Sequence, residues 1–190
     1  MYWICSFLVI AALLGSTELN NSVAVAQGGS KDKVEWMNEC ISQLDERTAA
    51  FVARDWTQLE RLAKRYLQDC KGVFDSENYS GAYEDIASAN IELNNPLAAL
   101  AASERCIDVY YANAGCHVSK IRALIKLSRL SEAHSEFEIA EKLIVHLIEI
   151  NEENIRKTSD PSEHGIALKK FYSSKNNKLK ALQKLLDSIR

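Results

Sequence analysis

Proline and glycine are scarce, with two prolines and seven glycines in 190 residues. All-β architectures draw on those residues for their many reversals, so their scarcity argues against such a fold. Disorder is excluded too, because 47% of the residues are apolar and 26% are charged. Helices are therefore expected before any pattern is read. An excess of positive charge is also missing. The formal net charge is −3 and comes close to balance without the N-terminal leader, so the basic surface of a nucleic-acid binder is absent and nucleic acid is not an expected partner.

Catalytic and metal-binding patterns are missing as well. His117, His134, His146 and His164 form no HExxH, and Glu138, four residues after His134, makes only one helical pair. There is no CxxC motif, glycine-rich phosphate loop, nucleophile elbow or dinucleotide fingerprint. Adjacent acids such as Glu84-Asp85 and Glu152-Glu153 suit solvated helix faces better than acid/base dyads. The expectation is a protein that is not an enzyme and has no cofactor or metal. Asn78-Tyr79-Ser80 matches a glycosylation triplet, which matters only in a eukaryotic secretory pathway.

Trp3 to Leu14 is an uncharged apolar run, too short at about 1.5 Å per residue to span a bilayer core of roughly 30 Å. It reads as the core of a signal peptide over residues 1–26. Ala24-Val25-Ala26 offers the small residues a signal peptidase inspects and places the cut before Gln27. Residues 2–13 hold no Lys or Arg, so an uncleaved N-terminal anchor is the alternative. Cys5 lies at the wrong end of the run for a lipoprotein cut.

From Lys33 onward apolar residues recur at helical spacing. Val34, Met37, Ile41, Leu44, Thr48 and Phe51 form one stripe, and after Arg54-Asp55 a second runs through Trp56, Leu59, Leu62 or Ala63, Tyr66 and Cys70. Two stripes with a turn between them predict a helical hairpin. Lys71 to Ser80 reads as a loop. A second hairpin is predicted from about Gly81 to Leu93 and Pro96 to Val109, where Pro96 suits the first turn of a helix. A third runs from Gly115 to Leu127 and from Ser131 to about Ile150, with Ala133, Phe137, Ala140, Ile144 and Leu147 on one face.

A shift of 34 residues places Ala89 on Ala123, Ile91 on Ile125, Leu93 on Leu127, Ala99 on Ala133 and Cys106 on Ala140. Within residues 27–150 the chain resembles the tetratricopeptide repeat family over roughly Glu35 to Ile150, most clearly in the third unit, where Ala123 to Ala133 is followed by Phe137 and Ala140 at that family's spacing. The resemblance implies an all-α fold, a short right-handed solenoid of about three helix-turn-helix hairpins with a C-terminal capping helix. It also implies a concave groove for a peptide or protein, faced by Glu84, Ser88 and Glu92 from one unit and Ser119, Arg122 and Lys126 from the next. An acidic strip beside a basic one would orient a bound segment. Ordinary solvated helix faces are the alternative reading of these six.

Cys40 and Cys70 lie fifteen residues either side of Asp55, and Cys106 and Cys116 lie symmetrically about Tyr111. Antiparallel helices bring each pair together, so of three connectivities the hairpins select Cys40–Cys70 and Cys106–Cys116, in keeping with an oxidising compartment. Four buried thiols in a cytosolic helical protein are the alternative.

Residues 151–190 form a separate extension. Asp160-Pro161-Ser162-Glu163 supplies an N-cap, a proline and an acid for a new helix. Its end is amphipathic, with Leu179, Leu182, Leu186 and Ile189 on one stripe and Lys175, Lys178, Lys180 and Lys184 nearby. The expected role is to cover the last repeat, with a membrane-surface or partner-docking helix as the sharper alternative. The functional expectation is an exported protein-binding scaffold, periplasmic or secreted. An inhibitor or immunity-type protein that neutralises a secreted enzyme is the runner-up.

Overall fold

The structure is a computed structural model that describes residues 30–158 and 162–189. The expected signal peptide, Asp160 and Pro161 lie outside the described residues. Among these residues the chain is all-α, with seven helices and no strands. They are α1 (Ser30–Ala53), α2 (Trp56–Asp69), α3 (Ser76–Glu92), α4 (Pro96–Val109), α5 (Ala114–Lys126), α6 (Leu130–Lys157) and α7 (Glu163–Ile189). Each helix packs on the next, and α3 also meets α5, which in turn meets α7.

Three helical pairs turn in the same way. At the α1–α2, α3–α4 and α5–α6 turns, Arg54, Asn94 and Ser128 adopt left-handed backbone with φ of 57°, 58° and 59°. The Asn94 N–H donates to the Ile91 carbonyl and the Asn95 N–H to that of Asn90; Arg54 and Asp55, and Ser128 and Arg129, bond the equivalent carbonyls. This pair of bonds is the Schellman motif, which satisfies carbonyls left unpaired at a helix end. Each following helix starts at once. Asp55 caps α2 by accepting from the Gln58 N–H, and Pro96 opens α4.

The core confirms most of the stripes. Leu59, Leu62, Ala63 and Tyr66 of α2 are buried, as are Ala133, Phe137, Ala140 and Ile144 of α6. Between the second and third pairs, Ile91, Ala99 and Leu100 cluster with Ala123, Leu124 and Ala133. Ile91 is buried there while its counterpart Ile125 is 38% exposed. Leu179 and Leu186 of α7 join Val118, Ile121, Phe137 and Ile144 in one cluster. The amphipathic stripe at the C-terminus thus lies against α5 and α6.

Three expectations are corrected. Helix α3 begins at Ser76 rather than Gly81, because the Asp75 carboxylate accepts from the Asn78 N–H and nucleates the helix inside the expected loop. Helix α7 takes Ser162 as its cap, its hydroxyl accepting from the Gly165 N–H at 3.2 Å. Helix α1 is rotated: Cys40, Gln43, Arg47 and Ala50 are buried, whereas Val34, Met37 and Phe51 are exposed. Its inward face is fixed by the Cys40 link to α2 and by an ion pair from Arg47 to Asp85 of α3. Of the apolar stripe, Leu44 still packs against the first core cluster, while Val34, Met37 and Phe51 stay exposed on the adjacent face.

Both expected cysteine pairs are at disulfide distance, with Cα separations of 5.6 Å for Cys40–Cys70 and 5.9 Å for Cys106–Cys116. Two such pairs point to an oxidising, exported environment. Among the described residues no helix is long and apolar enough to cross a membrane.

Candidate functional site

A groove of about 870 Å³ runs over α3 and α5, with α1 and the start of α2 on one flank and α7 on the other. Of the six groove residues expected from sequence, Glu84, Ser88, Glu92, Ser119 and Arg122 line it. The sixth, Lys126, lies outside that lining and donates to Asn94 Oδ1 at 3.2 Å, beside the α3–α4 turn. Helical spacing explains the shared face: positions 84, 88 and 92 recur every four residues, as do 118 and 122 beside 119.

The flanks were not anticipated. Leu44, Thr48 and Phe51 of α1 and Trp56 of α2 line one side, and Phe51 meets Trp56 edge-to-face with ring centroids 5.9 Å apart. Lys178, Leu182 and Leu185 of α7 line the other. The stripe on α1 was visible in the sequence but read as core. The signal that separates the two is Cys40, whose pairing with Cys70 turns the stripe away from α2.

The expected acidic and basic strips neutralise each other inside the protein. Arg122 bonds Glu92 at 2.7 Å across α3 and α5, so these two charges do not stand as separate strips. Lys175 and Lys178 reach from α7 to Glu77 and Glu84 at 2.7 and 3.1 Å. The Glu84 carboxylate holds Lys178 above the usual lysine range. That carboxylate rests against the α carbon of Gly115, where any Cβ would collide with it. Glycine at 115 is thus what lets the α3 acid sit over the start of α5.

A largely buried charge pair joins the first and second hairpins. Asp85 Oδ2 accepts from Arg47 Nε at 2.9 Å and Nη2 at 2.5 Å, and the guanidinium lies 4.8 Å from the Tyr66 ring centroid. Burial pushes the Asp85 carboxyl up against the opposing pull of Arg47, and pushes the Tyr66 hydroxyl up to about 12.

A second buried cluster lies outside the groove. His117 is 1% exposed, with Nδ1 2.5 Å from Glu136 Oε1 and Nε2 2.9 Å from the Tyr111 carbonyl. Both ring nitrogens face oxygen acceptors, a geometry the doubly protonated ring satisfies. Lys120 Nζ binds the other Glu136 oxygen at 2.7 Å. Burial raises the Glu136 carboxyl, but hydrogen bonds and charge from His117 and Lys120 outweigh it and hold the group below the usual glutamate range. The cluster ties the α4–α5 connection to α6 and reads as structural.

Among the described residues no three His, Cys, Asp or Glu side chains converge to hold a metal ion. Comparison with protein-family models, with curated proteins and with solved structures finds no match to this chain.

Proposed function

We propose that this chain is an exported protein-binding adaptor of the tetratricopeptide-repeat type, a short right-handed solenoid of three hairpins capped by α7. On this reading residues 1–26 are its signal peptide and it works in the periplasm or outside the cell. The observation that carries the proposal is the groove itself. It lies along the odd-numbered helices, as the inner face of stacked hairpins does, and pairs apolar flanks with a polar floor. The repeated Schellman turn at Arg54, Asn94 and Ser128 supports three equivalent units. Binding rather than catalysis suits a site whose charges are paired with one another.

The test is affinity capture from the exported fraction of the native cell by the oxidised protein. Ser88→Trp, which fills the groove floor, is compared with Leu97→Asp on an exposed position outside the groove, both first checked for native helix content. A partner held by wild type and by Leu97→Asp but lost by Ser88→Trp is the expected result. Equal capture by all three contradicts a groove site. The captured partner's identity separates an adaptor from an inhibitor of a secreted enzyme.

A further inference from the structure

The charge pattern of the groove narrows what it accepts. Its charged lining residues are Arg47, Arg122, Lys175 and Lys178 against Glu77, Glu84, Asp85 and Glu92, four cations and four anions. Each is bonded to another of the set: Arg47 to Asp85, Arg122 to Glu92, Lys175 to Glu77 and Lys178 to Glu84. No charge is left for an incoming one to complement. A charged side chain entering here finds each opposite charge already paired and must displace a partner to be matched.

The apolar flanks supply the attraction. Phe51 is 45% exposed on α1 and Leu185 is 38% exposed on α7, with Trp56 beside the first and Leu182 beside the second. A helix with its side chains is roughly 10 Å across, so a groove of this volume takes about two of its turns. The protein already makes a contact of this kind: α7 is an amphipathic helix whose leucines pack on α5 and α6.

We infer that the groove's occupant is a short amphipathic helix of a partner protein whose groove-facing side is uncharged and carries two bulky apolar residues one turn apart. Charge complementarity here is the matching of a neutral wall to a neutral face. The inference rests on the adaptor reading and replaces charge-guided orientation with recognition by shape and apolar contact.

The test is selection of random dodecapeptides displayed on phage against the oxidised protein, with Ser88→Trp as the counter-target. Enriched sequences should pair large apolar residues at i and i+3 or i+4, with any Asp, Glu, Lys or Arg confined to positions that face away from that pair on a helix. Their synthetic versions should bind Ser88→Trp at least about tenfold more weakly and change affinity by less than about twofold between low and high salt, since no ion pair is formed on binding. Enrichment of acidic or basic peptides, a steep salt dependence, or no Ser88-sensitive peptide at all would overturn the inference. Capture of a native partner that still depends on Ser88 but engages through a charged face would overturn the inference while leaving the adaptor reading in place.

Discussion

The turns inside the hairpins and the links between hairpins are built by different means. Inside, Arg54, Asn94 and Ser128 repeat one backbone geometry with three unrelated side chains. The turn is a property of the main chain and tolerates a range of sequence. Between hairpins, the links are contacts between particular side chains. Arg47 reaches Asp85, Arg122 reaches Glu92, and Cys106 meets Cys116 across the α4–α5 connection. Local geometry makes the units, and long-range chemistry sets how they lie against one another. Substitutions between units should therefore cost far more than substitutions at the turns.

The largest effect is expected at the first link. Arg47→Met leaves Asp85 without its cation in a buried setting and should lower stability by about 3–5 kcal/mol, read by chemical denaturation at neutral pH. Arg47→Met/Asp85→Leu should recover most of that loss, because no buried charge remains unpaired. A loss under about 1 kcal/mol for the single variant would mean the pair adds little to joining the hairpins.

The cysteine pairs come next. Chain-entropy arithmetic puts Cys40→Ser/Cys70→Ser at up to about 3.6 kcal/mol and Cys106→Ser/Cys116→Ser at up to about 2.7, the longer loop costing more. Thermal melts of both variants check the order. If the shorter loop proves costlier, native contacts around the α4–α5 connection, not loop length, govern that link.

A smaller, pH-dependent effect belongs to Glu136. Its carboxyl is depressed in the folded protein, so its contribution to stability is fully present above the unfolded value of about 4.5 and is lost as pH falls through the lower folded value. Wild type should therefore lose stability relative to Glu136→Gln on acidification below that point. Parallel stability curves would show that the His117–Glu136–Lys120 cluster adds nothing through charge.

The smallest effect is expected at the turns. Ser128→Gly relieves a left-handed residue that carries a Cβ, less the entropy glycine loses on folding, and should stabilise by up to about 1 kcal/mol. A loss of stability instead would show that the Ser128 side chain, not the backbone, makes that turn.

The same contrast explains what was legible in the sequence. Features set by local spacing could be read: three hairpins and the buried faces of α2 and α6, whereas the groove residues on α3 and α5 were expected from the family resemblance. The cysteine pairs followed because symmetry about a turn is itself local. Features set by distant partners were not legible. The face that α1 turns inward depends on Cys70 and Asp85, neither of which its own periodicity reveals, so Met37 and Phe51 looked like core. The polar run Ser76 to Ser80 hides the first turn of α3, whose start is fixed by the Asp75 cap. Nothing local tells that Lys175 and Lys178 will settle on Glu77 and Glu84, about a hundred residues earlier in the chain, which is why the groove looked charged when its charges are spent on one another.

Hydrogen–deuterium exchange of the oxidised protein, alone and with a captured partner, tests the account most directly. Slowed exchange confined to α3, α5, the Phe51 end of α1 and the Leu182 region of α7, with α2 and α4 unchanged along their middle turns, is the expected result. Protection on α2 and α4 with none on α3 and α5 would place binding on the opposite face and contradict the groove as the site.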